Sequence, residues 1–383
     1  MMKLDGGLQT GSILIVAAEA SSCMYAKKFI QAWRKHSPQT HFFGVGDKQM
    51  QTDGMECFGL AEDLAVVGLQ EVLAHWTDIK KTFLSLEDAA QKKKPRFALL
   101  LDYPGFNLRL AKRLKTHGIP VVYYISPQLW AWKKGRIKQV RDSVDDMMVV
   151  FPFEVDFYRQ HGIEAHFVGH PLLEVIEDEV GALKTPRHGR RTLGLMPGSR
   201  KSEVRYNFKV QLLAAEELSR DHDIDVKVLV APTLDLDFIK PLSRDYKGNL
   251  DFVRGKPSEM IQQCDFILTA SGTATLQVAL LGKPMVVMYR MNPVTALIAK
   301  LLVKSVSYFC IVNLIADDSV VPELFQGEAN PKRLSQELER ILQDEPYRQA
   351  MLKKLERIRT LLGEGQASSQ LVGYLREKYV EVD

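Results

Sequence analysis

Several features that mark large protein classes are scarce in this chain. It has four cysteines, Cys23, Cys57, Cys264 and Cys310, with no Cys-x-x-Cys pair and no histidine cluster beside them. Thiols scattered in this way exclude a disulfide framework or a zinc ribbon and read as free thiols in a reducing compartment. No uncharged apolar stretch approaches the roughly 18 residues that a membrane-spanning helix needs. The N-terminal apolar run, Ile13 to Ala18, is short and follows glycines and Asp5. It reads as a buried strand, because a signal peptide carries basic residues and a longer apolar core. Charge of one sign is also scarce: 51 Lys and Arg against 47 Asp and Glu leave a net charge of +4. That balance, without any nucleic-acid motif, excludes a dedicated DNA- or RNA-binding protein. It leaves room for local basic patches facing phosphates or an anionic membrane.

What is present is globular. Of 383 residues, 46% are hydrophobic and 26% charged, a composition for packed cores and a length for two domains. Apolar strand runs alternate with helical patterns. SILIVAA (12–18) precedes a helix over about 23–36, and HFFGVG (41–46) follows. RFALLLD (96–102) leads into a helix near 107–117, then come VVYYIS (121–126), DMMVVF (146–151) and AHFVGH (165–170). A polar, turn-rich stretch (176–190) separates these from a second series: TLGLM (192–196), VKVLVAP (226–232), LDFVRG (250–255), DFILTAS (265–271) and PMVVMYR (284–290). Alternation of this kind makes parallel sheets covered by helices on both faces. The expected fold is α/β, two Rossmann-like doubly wound domains facing a cleft, the layout called GT-B among glycosyltransferases. The expected domains are 1–175 and 190–350, with a C-terminal helical segment, 351–383, that crosses back to the first domain. Such a segment could also exchange between subunits in a homodimer.

Doubly wound sheets bind ligands at the carboxyl ends of their strands, so the strand-to-helix loops carry the chemistry. LMPGSRKSEV (195–204) ends a strand, turns at Pro197-Gly198 and starts a helix. Backbone amides at a helix start, the Ser199 hydroxyl and Arg200 together suit a diphosphate; the bland alternative is a plain loop with a solvated arginine. SGTAT (271–275) stands in the same context, and two such loops in one domain strengthen the phosphate reading. No Asp-x-Asp pair stands at a suitable strand end, so neither a metal nor any other cofactor is expected. Asp102 ends a wholly apolar strand. There it is either a base with a raised pKa or a cap for the next helix, a role for which Asn107 competes. The two tryptophans of YYISPQLWAWKKGR (123–136), Trp130 and Trp132, are either core or a wall for a sugar, and the basic residues that follow are a solvated face or an anion contact. Val66, Val67, Leu69, Val72, Leu73 and Trp76 make either an amphipathic core helix or an apolar patch that dips into lipid.

Taken in order, LDYPGFN, YYISPQLWAW, VGHPLLE, LMPGSR, SGTATLQ, PMVVMYR and VNLIADDSVVPELFQ resemble the successive signatures of the lipid-A-disaccharide synthase family, from Ile13 to about Arg357. The resemblance implies an inverting glycosyltransferase. It would move 2,3-diacylglucosamine from its UDP form to the 6-hydroxyl of 2,3-diacylglucosamine 1-phosphate (lipid X). It further implies that Asp102 is the general base and Arg200 serves the diphosphate. Ser199, Ser271, Gly272, Thr273, Ala274, Thr275, Gln277 and Asn313 would belong to the nucleotide pocket, and Glu19, Ser21 and Ser126 would lie on the acceptor side. It favours the lipid-facing reading of 63–76, hence a cytoplasmic protein held peripherally at the inner membrane.

The chain departs from the family at two places. AEASSC (18–23) replaces GEASGD, so Ala18, Ser22 and Cys23 stand for Gly, Gly and Asp. A glycine lost there suggests a crowded or specially bent backbone, and the lost aspartate removes a carboxylate near the acceptor. Gln277 replaces a glutamate that accepts from ribose hydroxyls, and it keeps an acceptor without the charge. Besides an active enzyme, these departures allow a divergent paralogue with another acceptor, or a non-catalytic UDP-sugar-binding or membrane-surface protein. Among enzymes of this layout, a UDP-sugar epimerase is the main competitor.

Overall fold

The computed structural model describes residues 11–64, 76–130, 134–180, 189–292 and 308–380. The chain divides into two compact units. The N-terminal unit comprises residues 1–175 and 363–383, and the C-terminal unit residues 176–362. The helical stretch expected at 351–383 is therefore divided at Gly363.

The N-terminal unit holds seven parallel strands: β1 (Ser12–Ala17), β2 (His41–Gly46), β3 (Glu56–Leu60), β4 (Ala98–Leu101), β5 (Val121–Tyr124), β6 (Asp146–Val149) and β7 (Ala165–Phe167). Their order across the sheet is β3-β2-β1-β4-β5-β6-β7. The order reverses between β1 and β4, which pair with Ala17 opposite Leu101. β3 carries a charged, mixed sequence and is not legible as a strand. It pairs with β2 across a register shift at Gly44 and Val45. Gly44 has φ +144°, and a Cβ there would strike the carbonyl oxygen of Ile15 at 1.9 Å, so close packing of β2 on β1 requires glycine.

β4 is four apolar residues, all fully buried, as expected of a strand covered on both faces. The helices that cover this sheet include α1 (Ala20–His36), α2 (Trp76–Lys93), α3 (Pro104–Thr116) and α4 (Pro152–Gln160), and the boundary between the units falls within α5 (Leu172–Val180).

The C-terminal unit repeats the plan with β8 (Arg191–Met196), β9 (Ile224–Leu229), β10 (Leu250–Val253), β11 (Phe266–Ala270), β12 (Met285–Tyr289) and β13 (Glu323–Phe325). Its order is β10-β9-β8-β11-β12-β13, so the reversal falls between β8 and β11. Helices α6 (Lys201–Asp221), α7 (Thr273–Leu280), α8 (Ile311–Ala316), α9 (Pro331–Gln343) and α10 (Glu345–Leu361) belong to it.

The last helix, α11 (Ala367–Tyr379), belongs to the N-terminal unit and packs on α1. Its anchor is Asp146, a buried carboxylate at the amino end of β6. Asp146 accepts from Tyr374 Oη (2.8 Å), Lys378 Nζ (2.5 Å) and Tyr379 Oη. Burial alone would raise its pKa, and these three donors instead hold it below the usual carboxylate range. Among the described residues, no helix is long and apolar enough to cross a membrane.

Candidate active site

In the N-terminal unit, the reversal of strand order brings Glu19 and Asp102 together. Glu19 follows β1 and precedes α1, and Asp102 follows β4, the paired neighbour. Asp102 is partly buried. That burial, and then the negative charge of Glu19, push its pKa up to about 7, against a smaller lowering by the Tyr103 amide.

The backbone there is unusual. Asp102 (φ 47°) and Tyr103 (φ 45°) are consecutive non-glycine residues in the left-handed region, at a cost on the order of 1–3 kcal/mol each. Tyr103 is the N-cap of α3 and makes no side-chain capping bond, so neither Asp102 nor Asn107 has the capping role weighed for it. Asn107 instead lies inside α3, fully buried. Its amide donates to the carbonyls of Leu101 (3.1 Å) and Asp102 (2.7 Å). Tyr123 Oη on β5 donates to the same Asp102 carbonyl at 2.6 Å.

The altered loop 18–23 is accommodated locally. Ala18 is fully buried and does not adopt a positive φ, and Ser22 lies in the first turn of α1. The special backbone suggested by the missing glycines is therefore not needed. The Ser22 hydroxyl accepts from the Glu19 amide (3.0 Å) and donates to the Glu19 carbonyl (2.9 Å). Cys23 is buried and its thiol donates to the carbonyl of Ala17 (3.3 Å). Burial, and then the charge of Asp47, push this thiol up to about 12, so it stays neutral. Ser21, also in the first turn of α1, is partly exposed.

Ser126 follows β5, but its hydroxyl is turned inward. It is buried and bonds to Glu154 Oε1 (2.9 Å), to Tyr158 Oη (2.9 Å) and to the carbonyl of Pro127. Glu154 also accepts from Trp130 Nε1 (3.2 Å) and the Phe151 amide (3.2 Å). Trp130 packs edge-on against Phe153, which makes it part of this inner network. Burial pushes Glu154 up to about 7 and holds the nearby His170 down to about 3, a neutral imidazole whose Nδ1 accepts from the Leu172 amide. Sequence reasoning misses Glu154 and His170. A glutamate two residues into a helix after proline looks like an ordinary first-turn acid, and only burial distinguishes it.

In the C-terminal unit, β8 and β11 are paired, so the PGSR and SGTAT loops leave adjacent strand ends. Gly198 has φ +129° and packs on Glu203, whose Cβ would lie 2.6 Å from an added methyl. The Glu203 carboxylate accepts from the amides of Ser199 (2.9 Å) and Arg200 (3.3 Å) and pairs with Arg200 Nη1 (2.9 Å). Two amides and a guanidinium thus already converge on a carboxylate, the arrangement that suits a phosphate oxygen.

The loop is held from below. Asn207 and Gln211 of α6 donate to the carbonyls of Pro197 (3.3 Å) and Met196 (3.2 Å). In SGTAT, Gly272 and Thr273 are exposed, Ser271 and Ala274 are partly so, and Thr275 is buried with its hydroxyl on the Gly272 carbonyl (2.7 Å). A small pocket lined by Ser271, Tyr289, Phe309, Cys310, Glu323 and Phe325 adjoins this loop.

Two residues expected in the nucleotide pocket face inward. Asn313 on α8 is fully buried. It donates to the Val321 carbonyl (2.9 Å) and accepts from the amides of Val320 (2.9 Å) and Val321 (3.0 Å). It clamps the loop before β13. Gln277 is 8% exposed; its amide donates to Ser258 Oγ (2.8 Å) and reaches Glu179 Oε2 at 3.5 Å. Val66, Val67, Leu69, Val72 and Leu73 lie outside the described residues, as does Trp132, and Trp76 opens α2. Among the described residues, no three His, Cys, Asp or Glu side chains converge as metal ligands would.

Comparison with known proteins gives a consistent result. The family described as lipid-A-disaccharide synthetase matches residues 13–375. A lipid-A-disaccharide synthase of Anaeromyxobacter dehalogenans is 40% identical over 378 residues, 96% of this chain and 98% of that protein. One of Trichlorobacter lovleyi is 38% identical over 367 residues, 94% of this chain and 96% of that protein. Among solved structures, UDP-GlcNAc 2-epimerase from Neisseria meningitidis bound to UDP-GlcNAc superposes with a TM-score of 0.64 at 13% identity, covering 96% of this chain and all of that one (100%). At that identity the likeness concerns the fold and not the reaction.

Proposed function

The chain belongs to the lipid-A-disaccharide synthetase family and is a glycosyltransferase of lipid A biosynthesis, and from this premise we propose that it joins UDP-2,3-diacylglucosamine to lipid X at the membrane surface. The 6-hydroxyl of lipid X attacks the anomeric carbon as the bond to the UDP oxygen breaks, with inversion, and the hydroxyl proton passes to Asp102. The products are the lipid A disaccharide 1-phosphate and UDP.

Asp102 suits the base role because its pKa, raised to about 7 by burial and by Glu19, gives a carboxylate basic enough to accept a proton and still substantially ionised near neutrality. The observation that carries the reading is the position of this carboxylate at the point where strand order reverses, on a backbone strained to present it. Arg200, the amides of Ser199 and Arg200 and the exposed SGTAT loop stabilise the charge that develops on the departing diphosphate. Glu203 holds that guanidinium and those amides in place before the substrate arrives. Ser199, Ser271, Gly272, Thr273 and Ala274 are the residues we assign to diphosphate contact. Thr275, Gln277 and Asn313 support the pocket from behind. Glu19 and Ser21 face the acceptor, and Ser126 braces the loop that carries Trp130. The 63–76 segment is the docking patch for acyl-chain substrates, and the protein works as a peripheral protein at the inner membrane.

Purified protein given both lipid precursors should form the disaccharide, seen by mass spectrometry, with one UDP released per disaccharide. UDP release that lipid X does not accelerate would contradict the transfer. An Asp102→Ala variant that keeps the parent rate would remove Asp102 from the chemistry.

A further inference from the structure

We propose that Asn107 and Tyr123 are positioning residues, which hold the Asp102 backbone in its left-handed bend and act on catalysis through that carboxylate alone. The proposal rests on the reading of Asp102 as the base. The carbonyl of Asp102 receives two short hydrogen bonds, from Asn107 Nδ2 at 2.7 Å and from Tyr123 Oη at 2.6 Å, from two different elements of the fold. Asn107 also grips the preceding carbonyl of Leu101, so the peptide groups on both sides of Asp102 are held. Asn107 Oδ1 is buried with no hydrogen-bond partner among the described residues. A side chain kept only for packing would be better served by leucine, because an unmet buried acceptor is costly. The amide is therefore present for what its nitrogen does.

What it does is local. Two consecutive non-glycine residues at positive φ would relax toward ordinary backbone if nothing held them, and the carboxylate would swing with them. The surroundings of that carboxylate are Glu19 and Tyr25 of the β1–α1 region, Tyr103 and Tyr123, so a small rotation changes both its neighbours and its reach. A base displaced by about 1 Å can lose on the order of a hundredfold in rate.

The test is a double-mutant cycle under single-turnover conditions, with the disaccharide quantified by mass spectrometry. Tyr123→Phe removes one hydroxyl without changing shape and should lower the rate ~10-fold, and Asn107→Leu roughly a hundredfold. In steady state both should lower kcat and leave KM for the UDP-sugar within about twofold. In an Asp102→Ala background, neither should lower the residual rate further, because the group they position is gone. Equal fold-losses in both backgrounds, a Tyr123→Phe variant at the parent rate, or a rise in KM at constant kcat would overturn the proposal. Should Asp102→Ala itself run at the parent rate, the base assignment falls and takes this proposal with it, an outcome distinct from the others.

Discussion

The loop after β4 in the N-terminal unit and the loop after β8 in the C-terminal unit occupy comparable places and present opposite charges. Each leaves a strand beside the reversal of sheet order, and each is gripped at its carbonyls by side-chain amides from the first three turns of the next helix: Asn107 in one, Asn207 and Gln211 in the other. The first bends through two strained residues and presents a half-hidden carboxylate next to another negative group. The second turns at a glycine without strain and presents amides and a half-exposed guanidinium, balanced by Glu203. Strain and burial accompany the group that we propose changes protonation. Unstrained donors, already engaged by Glu203, make up the loop that we propose binds the diphosphate. The contrast implies that N-terminal changes act on the chemical step and C-terminal ones on the diphosphate.

The sharpest way to break that contrast is Asp102→Ala. Disaccharide formation should fall roughly a hundred- to ten-thousand-fold while UDP affinity, read by calorimetry, stays constant. Lost UDP affinity would mean that the two loops are not separable. Arg200→Ala should weaken UDP binding and lower kcat/KM by roughly a hundred- to a thousandfold, and Arg200→Lys should recover little, since a point charge does not reproduce the guanidinium fork.

The strained loop also predicts a conflict between stability and activity. The folded pKa of Asp102, about 7, lies above its ordinary 3.8, so the folded state holds a proton that the unfolded chain releases. Stability tied to this group therefore falls as pH rises between those values, and the ionised form costs up to ~4 kcal/mol above them. Asp102→Asn should raise the melting temperature at about pH 8 and leave it unchanged near pH 4, while activity is lost. An equal shift at both pH values would show that ionisation is not the cause.

The smallest effect concerns Gln277. A carboxylate there would face Glu179, which the present amide reaches at 3.5 Å. Gln277→Glu should lower stability by about 1 kcal/mol in a denaturant titration, and an increase in stability would remove the charge argument for glutamine at this position.

Much of this protein is legible in its amino-acid pattern. Strands such as ALLL, buried on both faces, need continuous apolar runs, and their alternation with helices dictates parallel sheets of this kind. β3 and β13 escape because one mixes Glu56 and Gly59 among its apolar residues and the other is only three residues long, so their pairing rests on neighbours rather than on their own pattern. The loops are legible because glycine, proline and small hydroxyl residues between a strand and a helix leave few alternatives.

The sequence by itself determined two doubly wound units, the loops that end their central strands, and the aspartate and arginine that those loops carry. Only the tertiary structure decided which polar side chains face outward. Asn107, Asn313, Ser126 and Gln277 look in a sequence like Asp102 and Arg200, polar residues in family motifs. Ser126 and Gln277 are turned inward by partners far away in sequence, and Asn107 and Asn313 by carbonyls and amides of the neighbouring loop, whose approach depends on how that loop bends; neither leaves a trace in residue spacing.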